Sequence, residues 1–518
     1  MKITIKNSLT DEAKDLLERF LTRGGFQITS DESKVDLYFL NHDEVFETSE
    51  SAKPKLVCGP GVFNYLKSLP EINFEHLIST HEIRMRPQLA NARMQDDIYL
   101  KDQLALIESK TNLEVAANAN YQLTDYPVAY YLKEKNLFIL SVSNIENFNS
   151  GPLAKFVKVW LSETLLKTPE VNLNVGLLAY GAIGHEHNRA VSQIPGFSLK
   201  AVCDSNPARI EVAKELAPTV EGFTDAEKLL DSDIALVVIS TPPNSHYSWA
   251  KKALEKNKHV VLEKPMSLTV AECDELIELA NAKDKTLVVY QNRRWDQDFL
   301  TIQKLVNEER IGEVFHVEIF VGGYGHPCNY WHSDEKVSGG AIFDWGSHFL
   351  DQALALFGKD ISYISAVEHK RQWLDVTNSD HSRITLMYNN GLEVEFIYSD
   401  LAAALKPKYY LLGTKGAIVG NWRMEKVITR NEIGTLLEDQ LAPADSPANI
   451  EVFDENGSVT KVRLENPPKY QFHTELADWL SSGIPMTVNS QTSRDVVAVM
   501  QAAAKSAAGE GLPVKPLL

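Results

Sequence analysis

The stretch VVLEKPMS, residues 260–267, places an acid, a base and a proline directly after a run of apolar residues. Such a run is typical of a buried parallel strand, which would ordinarily be followed by Gly, Asn or Ser in a turn. Glu263 and Lys264 bring a carboxylate and an ammonium group to the strand end, where Pro265 fixes the turn and allows a cis peptide bond at tolerable cost. The alternative interpretation is a surface Glu-Lys pair after a strand.

A second pair lies in the stretch GGAIFDWGSH, residues 339–348. If Asp344 begins a helix, His348 follows at i+4 on the same face, so the two side chains can converge on one substrate atom. Imidazole titrates near neutral pH, and His348 can therefore take a proton from a hydroxyl while Asp344 orients the substrate or tunes the base. The alternative is that Asp344 caps a helix and His348 is a half-buried histidine with satisfied hydrogen bonds.

The composition of the 518-residue chain is that of a globular protein with more than one domain. Hydrophobic residues make up 44% and charged residues 24%, and the length predicts about three domains. A net charge of −18 argues against nucleic acid or an anionic membrane as the main partner. No apolar stretch is long enough to span a bilayer, and the four cysteines are scattered, so we expect reduced thiols, no membrane partner and a cytoplasmic location.

The fold class predicted from the pattern of elements is α/β, in three parts. Residues 1–168 alternate strands and helices and form an accessory α/β layer domain. Residues 172–292 repeat strand and helix with short joints, which predicts a Rossmann doubly wound parallel sheet that binds a nucleotide. Residues 293–518 predict an α+β domain with a mostly antiparallel open sheet and C-terminal helices that pack back. Asn390-Gly391 and Asn456-Gly457 are hairpin turn signals within it.

A phosphate-binding turn is predicted where the strand VGLL gives way to a helix. Its members are Gly181, Ala182, Ile183 and Gly184, and Ala179 stands where the first glycine of G-x-G-x-x-G would be. Glycines here let the backbone approach a pyrophosphate, which then lies on the unpaired N–H groups of a helix N-terminus. An ordinary α/β joint gives the same pattern, so this turn alone does not decide between the two.

Asp204 ends the next strand, FSLKAVCD, twenty residues beyond Gly184. A carboxylate there can accept both ribose hydroxyls of an adenosine and would repel a 2′-phosphate, which favours NAD over NADP. NADP stays possible because Ser205 and Arg209 are close in sequence and could accommodate a phosphate. The alternative for Asp204 is a solvated helix cap.

A third cofactor-side segment follows the apolar run ALVVIS. Thr241, Pro242, Asn244 and His246 lie at the carboxyl end of this predicted strand, where ligands of open α/β sheets bind. The consecutive prolines stiffen the segment. A rigid joint without a ligand is the alternative.

These segments together resemble the Gfo/Idh/MocA family, the NAD(P)-dependent relatives of glucose–fructose oxidoreductase and inositol dehydrogenase. The resemblance covers about residues 172–518 and is carried, in order, by NVGLLAYGAIG, Asp204, STPPNSH, HVVLEKP, QNRRW and SGGAIFDWGSH. It implies that Lys264 lies beside the nicotinamide and contacts the reacting hydroxyl, with Glu263 toward the cofactor ribose. It carries the catalytic aspartate and histidine over to Asp344 and His348, and it implies a homo-oligomer, a dimer or a tetramer.

Candidate pocket residues follow the last cofactor-domain strand and precede the catalytic pair. Arg293 and Trp295 fall where relatives carry an arginine and an aromatic side chain near the site, although Trp295 could equally be core. Tyr330, Trp331 and His332 suit stacking on a sugar face and hydrogen bonding to hydroxyls. A rival interpretation has His326, Cys328 and His332 as metal ligands. That spacing fits no closed four-ligand pattern, and we expect no metal.

The resemblance implies an oxidoreductase that moves a hydride between a nicotinamide cofactor and a secondary alcohol of a sugar, a cyclitol or a derivative. Two alternatives stay open, an NAD-dependent glycoside hydrolase that uses transient oxidation and a non-catalytic NAD(P)-binding regulator. The end of the accessory domain, residues 1–168, resembles the trehalose-utilisation, glutamine-amidotransferase-like domains. Cys58 in LVCGPG could be a nucleophile there, but no His and carboxylate partner can be assigned to it, which favours a buried thiol.

Overall fold

The computed structural model of the protein divides into two compact units. The first comprises Met1–Leu173, Asn188–Ser198 and Pro468–Met486, and the second comprises Asn174–His187, Leu199–Pro467 and Thr487–Leu518. The residues that the structure describes are 2–6, 11–23, 26–30, 37–40, 53–59, 61–78, 83–88, 97–109, 113–121, 124–161, 164–165, 173–423, 426–430, 436–440 and 446–518. Within these ranges no helix combines the length and the apolar character needed to cross a lipid bilayer.

The first block, the described part of residues 1–168, is an α/β layer built on a mixed nine-stranded sheet. Its strands are β1 Lys2–Lys6, β2 Gln27–Ile28, β3 Leu37–Leu40, β4 Lys55–Val57, β5 Ile72–Ile78, β6 Ile83–Pro87, β7 Ile98–Leu100, β8 Leu104–Ser109, β9 Glu114–Tyr121, β10 Thr124–Leu132 and β11 Leu137–Leu140. Its helices are α1 Asp11–Arg23, α2 Val62–Ser68 and α3 Gly151–Leu161. The sheet order is β2-β1-β3-β4-β11-β10-β9-β6-β7, parallel from β2 to β11 and antiparallel beyond, and β5 pairs separately with β8.

Helical spacing of apolar residues explains how this layer is covered. Leu17, Phe20 and Leu21 of α1 are three and four positions apart and are all buried in the core of the block. Cys58, directly after β4, is buried in the same core, and burial raises the pKa of its thiol well above the usual value. A thiol in that environment is not a nucleophile at neutral pH, which agrees with the buried-thiol interpretation.

The Rossmann domain contains a six-stranded parallel sheet. Its strands are β12 Leu173–Leu178, β13 Phe197–Cys203, β14 Glu221–Phe223, β15 Leu236–Ile239, β16 His259–Leu262 and β17 Leu287–Val289. Its helices are α4 Ala182–Gln193, α5 Pro207–Leu216, α6 Ala226–Asp231, α7 His246–Glu255 and α8 Val270–Ala282. The order is β14-β13-β12-β15-β16-β17. The order reverses between β12 and β15, and the carboxyl ends of strands at such a point form the usual ligand crevice.

The remaining elements form an α+β domain around an eight-stranded sheet. The helices in this part of the chain are α9 Gln297–Asn307, α10 Glu335–Ser338, α11 Ala341–Asp344, α12 Gly346–Phe357, α13 Gln471–Ser482 and α14 Ser490–Ala508, and of these α13 belongs to the first unit. The strands are β18 Val314–Gly322, β19 Ile361–His369, β20 His381–Tyr388, β21 Glu393–Ser399, β22 Tyr409–Gly413, β23 Gly416–Asn421, β24 Lys426–Arg430, β25 Leu436–Gln440, β26 Asn449–Asp454 and β27 Val459–Val462.

This sheet has the order β19-β20-β21-β18-β22-β23-β26-β27, and β24 pairs separately with β25. Its neighbours are antiparallel except β18 and β21. Gly391 and Gly457 have φ of 88° and 80° in the predicted hairpin turns, a conformation that glycine adopts without strain. The predicted fold class, a Rossmann sheet followed by a mostly antiparallel sheet, is therefore confirmed.

Helix α13 belongs to the first unit although it lies near the end of the chain. Arg23 at the end of α1 forms a buried bidentate ion pair with Asp478 of α13, with Nε–Oδ1 2.8 Å and Nη2–Oδ2 2.6 Å. The same guanidinium donates to the carbonyl oxygen of Asn149 at 3.1 Å. Such a pair becomes costly when one partner is removed, because the other charge is then buried alone. The three-domain boundaries expected from the sequence stay a prediction.

Candidate active site

The predicted phosphate-binding turn spans the end of the β12–α4 loop and the first turn of α4, because Gly181 precedes the helix and Ala182, Ile183 and Gly184 are its first three residues. Ala179 has φ of 72°, in the left-handed region where glycine is usual, which fits its place at the first position of the glycine pattern. A Cβ on Gly181 would meet nothing within 4 Å, so the space above this residue is open. A Cβ on Gly184 would lie 3.2 Å from the Ala179 carbonyl oxygen, so a side chain there would crowd the turn. The open backbone before a twelve-residue helix fits a pyrophosphate.

Asp204 follows β13 and its side chain is buried at 5% exposure. Its two carboxylate oxygens accept the backbone N–H groups of Tyr180 and Asn206, each at 2.8 Å. Arg209 lies 3.5 Å from Asp204 Oδ2. The carboxylate is thus fixed to the glycine turn, and the arginine is close enough to meet a phosphate on the same ribose.

The loop after β15 carries the four residues expected on the cofactor side. Thr241 Oγ1 accepts a hydrogen bond from Ser245 Oγ at 2.7 Å, Pro242 is partly exposed and Asn244 is exposed. His246 is fully buried, and its Nε2 and Nδ1 each lie 2.7 Å from a backbone carbonyl oxygen, of Thr241 and Pro265 respectively. Burial lowers the pKa of His246 below its usual value. Both ring nitrogens are occupied within the protein, which sets this residue apart from the other three.

The acid and base of the opening stretch follow β16, as expected. Lys264 and Pro265 are joined by a cis peptide bond. Glu263 is bonded to a buried partner that the sequence did not indicate, because its Oε1 lies 2.9 Å from Nε2 of His187 in α4. Seventy-six residues separate the two, and a histidine near the start of a polar helix gives no signal of such a contact.

Lys264 and Asp344, eighty residues apart, form an ion pair. Lys264 Nζ donates to Asp344 Oδ1 at 2.7 Å and to the Asp344 carbonyl oxygen at 3.2 Å. His332 Nδ1 lies 3.7 Å from Asp344 Oδ2. Burial alone would raise the pKa of Asp344, but Lys264 and His332 outweigh it and hold the pKa well below the usual value. Asp344 is therefore ionised at neutral pH and bridges the lysine and the histidine.

His348 lies in the first turn of α12 and is buried at 7% exposure. Asp344 is the last residue of α11, and its side chain bonds Lys264 rather than capping a helix. Burial, Lys264 and Arg293 lower the pKa of His348 well below its usual value. Its Nδ1 has no hydrogen-bond partner in the part of the chain that the structure describes. The ring is a neutral base at physiological pH, and the charges of Lys264 and Asp344 are close enough to change its pKa.

Arg293 and Trp295 lie in the segment that follows β17. The Arg293 guanidinium is buried, lies 5.5 Å from the Trp345 ring centroid and bonds Asp296 Oδ2 at 3.2 Å. Trp295 is partly buried. Arg293 thus contributes a positive charge next to His348.

The three loop residues proposed to contact substrate precede α10. Trp331 stacks on His332 with ring centroids 3.6 Å apart, and Tyr330 meets His332 edge-on at 5.4 Å. Tyr330 is 52% exposed. His326 Nε2 lies 2.9 Å from Asp375 Oδ2, so this histidine pairs with an acid rather than joining Cys328 as a metal ligand. No group of three metal-ligating side chains converges within the described ranges.

Two further residues of this site were missed from the sequence. Phe396 of β21 stacks on Phe349 of α12 at 5.7 Å, and Tyr398, two residues on, faces the same side of the strand. The Tyr398 hydroxyl donates to Asp400 Oδ1 at 2.7 Å, and burial raises the pKa of Asp400 to about 6. Burial, Asp400 and Asp344 all raise the pKa of Tyr398, so this pair is close to the Asp344 carboxylate. A tyrosine and an acid at the end of a regular strand carry no sequence signal.

The protein families that match the chain cover both halves of this site. Residues 173–291 match the oxidoreductase family with an NAD-binding Rossmann fold, and residues 299–419 match the GFO/IDH/MocA C-terminal domain. The oxidoreductase YdgJ of Escherichia coli, itself uncharacterised, is 32% identical over 251 residues, which are 48% of this chain and 71% of YdgJ. The chain belongs to the Gfo/Idh/MocA oxidoreductase family. Its Rossmann domain is an NAD-binding domain.

Other members of the family differ in how much of their length is matched. The uncharacterised oxidoreductase C115.03 of Schizosaccharomyces pombe is 37% identical over 40% of this chain, a match that spans only 58% of its own length. The scyllo-inositol 2-dehydrogenase (NADP(+)) IolW of Bacillus subtilis is 27% identical over 64% of this chain and 93% of its own length.

Solved structures agree on the fold. The YPO2259 protein of Yersinia pestis superposes with a TM-score of 0.56 at 26% identity, over 67% of this chain and 98% of its own. An oxidoreductase from Agrobacterium radiobacter, solved in complex with NAD+, L-tartaric acid and magnesium, has a TM-score of 0.54 at 21% identity, over 67% and 98% of the two chains. At that identity the second likeness concerns the fold alone.

Proposed function

We propose that this Gfo/Idh/MocA member oxidises or reduces a secondary alcohol of a sugar, a cyclitol or a sugar derivative. The observation that carries the proposal is the Lys264–Asp344 ion pair at 2.7 Å beside the neutral, buried His348. An alcohol carbon that gives up a hydride must also give up its hydroxyl proton, and a neutral imidazole near a fixed ammonium meets that need. The name of the B. subtilis relative supports a cyclitol as one substrate class.

Each side chain has a separate role in this proposal. Lys264 Nζ donates a hydrogen bond to the alcohol oxygen, and His348 takes the hydroxyl proton. Asp344 holds the ammonium of Lys264 in place and balances the positive charge when His348 is protonated. The bound nicotinamide supplies the hydride acceptor or donor. A buried base that becomes charged needs such a nearby carboxylate, and Asp344 is already ionised.

The cofactor would be held along the carboxyl ends of the Rossmann strands. Gly181, Ala182, Ile183 and Gly184 would receive the pyrophosphate at the start of α4, and Asp204 would face the adenosine ribose. We propose NAD as the usual cofactor because this carboxylate is fixed by two backbone N–H groups.

NADP is also accommodated in this proposal, since Arg209 is 3.5 Å from the Asp204 carboxylate. Thr241, Pro242 and Asn244 would line the cofactor from the next loop, with Glu263 toward the second ribose. Arg293 would add positive charge on the nicotinamide side.

Substrate hydroxyls would be met by the aromatic and polar side chains around Asp344. Tyr330, Trp331 and His332 form one group, in which the stacked pair of Trp331 and His332 offers both a flat face and ring nitrogens. Trp295 would line the opposite part of the pocket. These roles suit a ring-shaped polyol better than a flat or apolar molecule.

We also propose a homo-oligomer, a dimer or a tetramer, that works in the cytoplasm on a small molecule. Membership of the family supports the oligomer. All four cysteines are free thiols, which suits a reducing compartment.

The test is an assay of NAD and NADP reduction with scyllo-inositol, myo-inositol, free sugars, sugar acids and aryl glycosides. Lys264→Ala is compared with Lys283→Ala, which removes an exposed lysine after α8. We expect reduced cofactor with at least one polyol, lost in Lys264→Ala and retained in the control. Glycoside cleavage without reduced cofactor would move the assignment to a hydrolase. Cofactor binding without any turnover would move it to a regulator.

A further inference from the structure

His246 connects the loop after β15 with the turn that carries Lys264. Its ring is wholly enclosed, with 0% exposure, at the first position of α7. Nε2 lies 2.7 Å from the carbonyl oxygen of Thr241, and Nδ1 lies 2.7 Å from the carbonyl oxygen of Pro265. A neutral ring hydrogen-bonds one of the two carbonyls and packs against the other, and a protonated ring hydrogen-bonds both, so in either state the ring lies between the two segments and limits how far each can move.

The chemistry of imidazole limits what else this side chain can do. A carbonyl oxygen only accepts hydrogen bonds, so each ring nitrogen that bonds one must donate. A neutral ring donates through one nitrogen and a protonated ring through both, and in either state the ring holds at least one of the two carbonyls. No ring nitrogen is left to reach a cofactor. The expected cofactor contact of His246 is therefore replaced by an internal one.

The position of the second carbonyl gives this contact a consequence for catalysis. Pro265 directly follows Lys264, and the Lys264 ammonium reaches Asp344 at 2.7 Å on its Oδ1 atom. The backbone N–H of Glu263 donates to the Ile239 carbonyl at 3.0 Å, so the strand up to that residue is held by the sheet. Beyond the strand, the His246 ring bonds the backbone that determines where the lysine side chain begins.

We propose that His246 is a positioning residue that sets the location of the Lys264 ammonium relative to the cofactor loop. The proposal rests on the proposed function for the role of Lys264, whereas the bridge between the two loops stands on the geometry alone. Displacing a catalytic group by about 1 Å can cost about a hundredfold in rate. His246 therefore contributes to turnover without touching the reacting atoms.

The test compares His246→Ala and His246→Asn with His259→Ala in the full-length protein. His259 begins β16 at the opposite end of the same strand, is half-buried, and accepts one hydrogen bond from the Thr286 N–H at 3.0 Å. It is therefore a matched histidine without a link to the lysine turn. An asparagine side chain can still donate to one carbonyl, so His246→Asn tests partial rescue and protects the test against a failure of the alanine variant to fold.

Three measurements are made on each variant: kcat and KM with scyllo-inositol, NADH dissociation by fluorescence, and amide exchange by mass spectrometry. We expect kcat to fall about a hundredfold in His246→Ala and about tenfold in His246→Asn, with NADH dissociation changed less than threefold. Amide exchange should accelerate in segments 240–245 and 263–267 of both variants and stay unchanged there in the control.

Weaker NADH binding by more than tenfold with kcat preserved would overturn the proposal in favour of a direct cofactor contact. Unchanged exchange in both segments would overturn the bridge itself. If wild-type protein turns over no polyol, the proposed function fails, while the exchange measurement still decides whether His246 holds the lysine turn.

Discussion

Ala179 offers a direct test of how the glycine turn is built, through the substitution Ala179→Gly. Its φ of 72° is a conformation that costs a non-glycine residue about 1–2 kcal/mol. Glycine also gives the unfolded chain more conformational entropy than alanine does, which lowers the free energy of unfolding by about 0.4–1 kcal/mol. The side chain lost is one partly exposed methyl group. The difference predicts a net gain of about 0.5–1 kcal/mol for Ala179→Gly.

Thermal unfolding measures this gain. For a domain of the size of the Rossmann domain, 1 kcal/mol corresponds to about 2–4 °C in the midpoint temperature of unfolding. The transition of this domain is the one whose midpoint NAD raises, and we expect Ala179→Gly to raise that midpoint by about 1–4 °C. Ala182→Gly, at the first position of α4, is the matched control and should move the same transition down, because glycine is about 1 kcal/mol worse than alanine in a helix. A lower transition temperature for Ala179→Gly would refute the reasoning.

Three further predictions concern the proposed base His348, the carboxyl group of Asp400 and a buried ion pair. His348→Gln should lower turnover by about 10²–10⁴. Because the pKa of His348 is lowered, the acid limb of the pH profile of kcat/KM for the wild-type protein should lie below pH 6.5. An acid limb at or above pH 6.5 contradicts this prediction. Burial raises the pKa of Asp400 to about 6, so stability should fall as pH rises from about 4 to about 6. Urea unfolding from pH 4 to 7 should show less of this decline in Asp400→Asn, and an unchanged decline counts against the prediction. Lys408→Met leaves Asp298 buried without its partner at 2.7 Å and should cost about 3–5 kcal/mol in urea unfolding; a loss under 1 kcal/mol excludes that role.

The fold could be predicted from the sequence because its elements are marked locally. Buried strands such as β15 and β16 are continuous apolar runs, and Asn390-Gly391 marks a hairpin by backbone conformation alone. The proximity of Lys264 and Asp344 followed from the family resemblance, since eighty residues of chain lie between them. No local rule joins an E-K-P turn to a helix in another domain.

The rest of the site depends on which distant side chains meet, and that is set by packing. Glu263 is bonded to His187, which reads in the sequence as one of several histidines in a polar helix start. Tyr398 lies near the end of β21 and Asp400 directly follows the strand, and the residue types around them do not mark either position. His246 was assigned to the correct loop, but only the structure shows that both of its ring nitrogens face protein carbonyls.

The buried pair of Arg23 and Asp478 bears on how a chain of this kind can be shortened or recombined. The first unit is assembled from three stretches, so a cut in the 162–172 region would separate α1 from α13, remove the counter-ion of Asp478 and expose the part of α13 that packs on α1. The first block is thus unsuited to exchange as a cassette, although sequence alone would draw its border at a linker. A shortened version of the protein would need residues suited to water on the part of α13 that packs on α1, whereas Asp478 could stay because its carboxylate would then be hydrated.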